Sequence, residues 1–539
     1  MTNVNFLHHD GFPPLKLNHI IFRGFLFDHH GTFLTGELAA AYFEAITSAQ
    51  ELFETLTRID GIFTVCIEKE DELWVGTDTM GLFALYYHWD GTQWIISDSA
   101  EFVCRSMNTR EPNQQVVPEF LSAGFVMGRE TLYGNLFRTR PAEQLVLKND
   151  GSSQGRIYAF FLPDSFSIGS VMDHHQTLEM VLKAVCARLI HSLQGRTAVV
   201  PLSGGYDSRL IACMLKRAGY QQVICLTYGR PNKESEISQK VAQALGYQWI
   251  FVDYRTIDPA RAMGDELFQQ YASYAGNLTS MPFLQEYFAV KTLHEKGMIP
   301  EDAIFIPGHT GDYLAGSYVE KTAVCEKGGH SRSAWLLKKY FHFIPPDKAM
   351  GDVIKSRLDQ WFEKFEFPAL TPTPGYDPLV EDWDLKEKLS KFVFNSSRVF
   401  PFFGYQFRFP LWDKQLRDFF RRTPYPLRSF KFLYDQHLES RYFKPLGVYF
   451  GKEEIRERKQ DLRMQQYKNL LKPFVPAWIK NHRLQKRDYL CYHQFTGQLA
   501  VEMTKKGIKP AENYSSYNAL ICQWYLEKIK SLSSHYQQK

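Results

Sequence analysis

Short apolar runs open the chain: IIFRGFLF from Ile20, GIFTVCIE from Gly61, ELWVGT from Glu72, ALYYHW from Ala84 and QWIISD from Gln93. Turn formers such as Asp90-Gly91 and Asn149-Asp150-Gly151 separate them. Runs of this length, rich in β-branched and aromatic residues and bounded by turns, predict strands. A helix over Gly36 to Ser48 precedes the second strand. The stretch from His19 to about Leu147 therefore predicts an α+β domain of paired antiparallel strands. Asn149 to Gly155 is polar and rich in Gly and Ser, and FLPDSFSIGS follows, so the pattern ends this domain near residues 150–175.

The period then changes. Thr177 to Leu193 reads as an amphipathic helix, Thr197 to Ser203 as a buried strand and Asp207 to Ala218 as a helix. Strand VICLTY, a helix over Glu234 to Leu245 and strand WIFVDY follow. Strands alternating with helices at this spacing predict βαβ units and a parallel, doubly wound sheet. From about Ser331 onward the pattern is mainly helical and rich in aromatic and basic residues. The chain shows no internal repeat and no low-complexity tract.

At 539 residues the chain is too long for one core and predicts two or three domains. With 44% hydrophobic residues it has none of the polar bias of a disordered chain. Lys plus Arg (63) nearly balance Asp plus Glu (59), which gives no electrostatic case for a nucleic-acid or membrane-surface partner. Eight scattered cysteines without a C-x-x-C pair argue against a zinc site and a disulfide framework alike. The N-terminus lacks the pattern of a signal peptide, and no run reaches the length of a membrane span. A soluble protein of the reducing cytoplasm is the expectation.

The sharpest chemical feature is Ser203-Gly204-Gly205-Tyr206-Asp207-Ser208, at a strand exit and a helix start. Two glycines let backbone approach an anion, the helix-start amides point at it, and Ser203 and Ser208 add hydroxyl donors. Asp207 does not belong in a bare anion nest, because a carboxylate repels phosphate unless a divalent metal stands between them. It therefore reads as a Mg²⁺ ligand, against the plainer reading of a helix cap. No G-x-x-x-x-G-K-[ST] loop occurs.

This loop resembles the SGGxDS loop of the PP-loop ATP pyrophosphatases, which cut ATP between the α and β phosphates and leave AMP on an oxygen of the substrate. Ile306-Pro307-Gly308-His309-Thr310-Gly311-Asp312-Tyr313, after the strand AIFI, resembles the second loop of the asparagine synthetase family, SGEGxDExxGG. The resemblance puts Gly308 at the nucleotide and makes Asp312 a second metal and pyrophosphate carboxylate. Phe407 to Lys414 looks like the family's RVPFLD segment. Lys431 falls near its lysine that stabilises pyrophosphate, and Leu202, Thr227 and Tyr228 fall where the family cradles adenine. Residues 59–103 and 118–147 resemble the family's glutamine amidotransferase domain.

The resemblance thus implies an Ntn-type amidotransferase-like sandwich over residues 1–165, a PP-loop domain over 175–445 and a helical extension over 446–539. It implies ATP and Mg²⁺ as cofactors and a small-molecule or peptide carboxylate as partner, with a homodimer left open. The implied reaction is adenylation of a carboxylate and its transfer to ammonia or an amine. Three outcomes stay open: an asparagine synthetase, a uronic-acid amide ligase of surface polysaccharide, and a macrolactam cyclase of the lasso-peptide kind. A non-catalytic scaffold with a relic ATP site is the remaining alternative.

Two departures from the family stand out. A glutaminase of this type needs Cys after the initiator Met, and position 2 is Thr2. The family's glutamine clamp, NGE, aligns with Arg23-Gly24-Phe25. The expectation is a domain that has lost glutamine hydrolysis, as in β-lactam synthetases and lasso-peptide cyclases, with Thr2 as nucleophile the alternative. His309 stands where asparagine synthetases have Glu. It reads either as a base for the attacking amine or as a hydrogen-bonding group for phosphate or backbone. The adjacent pairs His8-His9, His29-His30 and His174-His175 suit metal chelation poorly. The mixed basic stretch Lys452 to Arg487 reads as a solvated helical face, with a grip on a leader peptide or an anionic glycan the alternative.

Overall fold

The computed structural model describes residues 3–8, 10–163, 169–317, 331–364, 377–450 and 484–534. Thr2, His9, Cys325 and most of the basic stretch lie outside them.

Ile20–Phe27 is apolar on both faces because it is covered on both. Ile20, Phe22 and Leu26 point to one side with Phe63, Val65 and Ile67 of the neighbouring strand Asp60–Glu68. They meet Phe43, Leu52 and Leu56 there, under the helices Gly36–Ala41 and Ala49–Arg58. The alternate residues Ile21, Cys66, Leu73 and Val75 face a second sheet through Leu85, Tyr87 and Ile96. The larger sheet runs Ser153–Ile157, Glu143–Lys148, Glu72–Thr77, Asp60–Glu68, Ile20–Phe27, Leu15–Leu17, all antiparallel, with Phe33–Thr35 also pairing Ile20–Phe27. The smaller runs Asn3–Asn5, Trp94–Ser97, Tyr86–Trp89, Phe137–Arg138. The result is a sandwich of two sheets flanked by helices.

Two local expectations are corrected. The helix foreseen over Gly36 to Ser48 stops at Ala41. Ser48 instead caps a new helix, its hydroxyl accepting from the amide of Glu51 at 3.2 Å, while Glu51 accepts from the amide of Thr47 at 2.8 Å. Residues from Ser153, read as part of a linker, form an edge strand paired with Glu143–Lys148. Its polar sequence follows from having a solvated side.

The second half carries a fully parallel sheet in the order Gln248–Asp253, Val223–Gly229, Ala198–Pro201, Ile304–Phe305, Gln406–Phe407. The chain starts at the middle strand, builds outward to one edge, then returns to build the other. The direction therefore reverses between Ala198–Pro201 and Ile304–Phe305, and in doubly wound sheets ligands bind at the carboxyl ends of the strands beside such a reversal. Helix Val171–Leu193 opens this half with a capping box of Ser170 and Asp173. The halves are joined tightly: Trp412 Nε1 donates to Thr79 Oγ1 at 2.9 Å, and Asp60 accepts from the Lys414 amide (2.7 Å) and from Arg417 (2.9 Å). The seven described cysteines are buried and unpaired.

Candidate active site

Both loops singled out in the sequence leave the sheet at this reversal. Leu202 continues the strand Ala198–Pro201, its amide bonded to the Leu226 carbonyl at 2.7 Å and its carbonyl accepting from Thr227 Oγ1 at 2.9 Å. The loop then turns into helix Tyr206–Arg217. Ser208 Oγ accepts from the Ser203 amide at 3.1 Å, Ser203 Oγ accepts from the Gly205 amide at 3.2 Å, and the two hydroxyls lie 3.1 Å apart. The serines thus brace the loop. One hydroxyl hydrogen serves the bond between them and the other stays available for an incoming oxygen. Arg209, unremarked in the sequence, closes the loop from behind: its Nη2 donates to the Gly204 carbonyl at 2.7 Å and its Nη1 to Val448 at 3.1 Å.

The second loop presses against the first. Gly311 has no side chain in the one place where a Cβ would lie 2.5 Å from Tyr434 Oη and 2.7 Å from Asp207 Oδ1. Through this gap the Asp312 amide donates to Asp207 Oδ2 at 2.9 Å, and Tyr434 Oη donates to Oδ1 at 3.0 Å. Thr310 holds a left-handed backbone, φ 79°, a strained place for a β-branched residue. Its Oγ1 bond to the Leu411 carbonyl at 3.1 Å helps to hold it there.

Asp207 and Asp312 are therefore neighbours, the first half-buried and the second exposed. Burial, and after it the charge of Asp312, push the Asp207 carboxyl up to about 7, against the Asp312 amide, Lys431 and the Tyr434 hydroxyl. Two acids forced together with one lysine nearby form a donor set that suits a divalent cation. Among the described residues no group of three His, Cys, Asp or Glu could hold a metal. A pair of carboxylates without a full protein cage fits Mg²⁺, which keeps water and phosphate oxygens in its shell.

Lys431 Nζ lies 3.3 Å from Asp435 Oδ1 and 5.7 Å from the Tyr206 ring, beside this pair. His309 sits between Phe409 and Phe394, ring centroids 5.9 and 6.1 Å away, with Nε2 3.4 Å from Ser396 Oγ. Burial drives its pKa down to about 4, so the ring is neutral at pH 7. At the next strand end, the Tyr228 hydroxyl donates to Glu286 Oε1 at 3.0 Å and accepts from Gln285 at 3.2 Å, its ring stacked on Tyr254 at 5.7 Å. Burial pushes the Glu286 carboxyl up to about 7.

Residues 180–524 match the family model for asparagine synthase, well over half of the chain. The chain belongs to the asparagine synthase family. A Methanocaldococcus jannaschii protein named as a glutamine-hydrolyzing asparagine synthetase is 23% identical to this family member over 170 residues, covering 30% of the chain and 32% of the relative. The match therefore spans about a third of that relative's length. Among solved structures, an NH3-dependent NAD synthetase from Campylobacter jejuni aligns with 38% of the chain and all of its own, at 14% identity and a TM-score of 0.21. A glutamine phosphoribosylpyrophosphate amidotransferase from B. subtilis aligns with 44% of the chain and 72% of its own, at 12% identity and a TM-score of 0.19. No helix among the described residues of this asparagine synthase family member is long and apolar enough to cross a membrane.

Arg23, which aligns with the first residue of the family's glutamine clamp, is held by carboxylates. Arg23, buried, donates at 2.7 Å to each of two carboxylates, Asp98 through Nη1 and Asp10 through Nη2, and through Nε to the Phe12 carbonyl at 3.0 Å. Asp98 also accepts from the amides of Leu7 and His8, and Asp10 accepts from Tyr274 of the other half at 2.7 Å.

Proposed function

We propose that this member of the asparagine synthase family is an ATP-dependent, AMP-forming amide ligase. A substrate carboxylate oxygen attacks the α-phosphorus of ATP, the bond to the β-phosphate oxygen breaks, and pyrophosphate leaves an acyl adenylate. Ammonia or an amine then attacks the acyl carbon, loses a proton and expels AMP, giving an amide. The observation that carries the reading is the meeting of Asp207 and Asp312 at the strand reversal, beside the Ser203–Ser208 loop.

The chain's residues take separable parts in the reaction. Amides at the start of helix Tyr206–Arg217 and the spare serine hydroxyl bind pyrophosphate oxygens, and Lys431 adds a positive charge where negative charge gathers. Leu202, Thr227, Tyr228 and Gly308 border the nucleotide at the carboxyl edge of the sheet. Mg²⁺ held by Asp207 and Asp312 would supply neutralisation of the departing phosphates. His309, neutral at pH 7, is a proton acceptor for the attacking amine, in an aromatic seat that keeps water from the adenylate.

The N-terminal half acts in this reading as a scaffold without glutaminase activity. The Arg23 guanidinium, locked by Asp10 and Asp98, stands where a glutamine clamp would need an amide side chain. The amine then comes from solution. ATP–pyrophosphate exchange screened over aspartate, uronic acids and peptides with acidic side chains tests the reading and identifies the acceptor. Exchange with none of them, together with no ATP binding, would refute it. Rapid glutamate release from glutamine would refute the part given to the N-terminal half.

A further inference from the structure

Three segments far apart in sequence meet at Asp207: its own loop, the loop of Gly311 and Asp312, and the helix Phe432–Leu438 that begins directly after Lys431. The last contributes Tyr434 from its first turn. Its side chain is fully buried, and its ring meets Phe420 edge-on at 6.0 Å. The hydroxyl reaches Asp207 Oδ1 at 3.0 Å while the Asp312 amide takes Oδ2 at 2.9 Å.

Resting on the ligase reading above, we propose that Tyr434 is a positioning residue: its hydroxyl fixes the rotation of the Asp207 carboxylate and so prepares the pair Asp207–Asp312 for a divalent cation. An ionised carboxylate oxygen accepts two hydrogen bonds or ligands. With one donor on each oxygen, Asp207 keeps one acceptor direction on each for the cation, and its plane cannot turn. Without the phenol, Oδ1 loses its bond, and repulsion from Asp312 is free to swing the group. The missing side chain of Gly311 belongs to the same device, because a Cβ there would meet the phenol oxygen at 2.5 Å.

The test is Tyr434→Phe, which keeps the ring against Phe420 and removes only the hydroxyl. Mn²⁺ affinity is measured by calorimetry on the full-length protein saturated with α,β-methylene-ATP. Loss of a hydrogen bond to a charged group predicts a fall of about tenfold or more. In ATP–pyrophosphate exchange, the Mg²⁺ concentration for half-maximal rate rises by a similar factor, more than the rate at saturating Mg²⁺ falls. A merely structural role would lower Tm and depress exchange equally at every Mg²⁺ concentration, and that pattern overturns the proposal. So does unchanged Mn²⁺ affinity in a variant with wild-type Tm. Absence of Mn²⁺ binding by the wild-type protein overturns the ligase reading too, so the two failures are told apart.

Discussion

The Cβ that Gly308 lacks would stand 2.6 Å from the backbone nitrogen of Ser208 and 2.8 Å from its Cα. The loops of Ser203–Ser208 and Gly308–Asp312 therefore touch main chain to main chain. Neither side of that contact is a flexible side chain able to move aside.

Gly308→Ala must accordingly part the loops. Forcing volume into a packed contact costs about 1–3 kcal/mol, and here the displacement falls on the amides proposed to bind pyrophosphate. Thermal unfolding is expected to show a loss of a few degrees, and ATP–pyrophosphate exchange a loss of about a hundredfold, in line with the sensitivity of reacting groups to small misplacements. Normal exchange in this variant would mean that the loops do not act together.

Glu286 predicts a pH dependence. Its carboxyl titrates near 7 in the folded chain, against about 4.3 in an unfolded one. Between those values the folded protein holds the proton and the unfolded chain does not, so stability falls as pH rises through the window and is fully present only below it. Glu286→Gln keeps an oxygen to accept from Tyr228 and removes the titration. Its Tm should exceed that of the wild-type protein at pH 8, with the gap closing towards pH 4. A constant gap across that range would contradict the assignment.

What the sequence revealed follows from how local each signal is. Ser203–Ser208 is contiguous and is legible from its residue types and strand–loop–helix context, whereas Gly308–Asp312, also contiguous and at a strand exit, is legible only through its resemblance to the family's second loop. Tyr434 and Arg209 were missed for different reasons. The contact of Tyr434 with Asp207 spans 227 positions and depends on an absent Cβ at Gly311. Arg209 lies inside the motif's own helix, where an arginine reads as surface until Val448 is seen covering it. The helix expected over Gly36 to Ser48 is too long because apolar periodicity alone carries no sign of the break that the Ser48 cap makes. Strand Ser153–Ile157 was overlooked because an edge strand lacks the apolar alternation that marks a half-buried one.

Arg23 gives a prediction for the N-terminal half. Removing one partner of a buried ion pair leaves charge without compensation, and typical losses are about 3–5 kcal/mol. Arg23→Met strands two carboxylates, Asp10 and Asp98, of which Asp10 also accepts from Tyr274. Urea denaturation is expected to show a loss of this size. Glutamate release from glutamine should stay absent, since opening the clamp supplies no nucleophile. A stable variant would show that the cluster does not brace the two halves.

His309 separates the two chemical steps. In the proposed reaction adenylation draws on the loop amides, Lys431 and the paired carboxylates, none of which bonds to the imidazole among the described residues. Amide formation needs a proton removed from the amine, and positioned bases contribute about a hundredfold to ten-thousandfold. His309→Ala is therefore expected to retain ATP–pyrophosphate exchange within a few fold while amide formation falls by at least a hundredfold. Because burial holds the ring's pKa near 4, the free protein should show no acid limb near 6.5 in kcat/KM for the amine that this substitution removes. Equal losses in both steps would instead make His309 a ligand of the phosphates. Its seat beside Ser396 Oγ offers the control: Ser396→Ala removes the group that orients Nε2 and should lower amide formation in the same selective way, by a smaller factor.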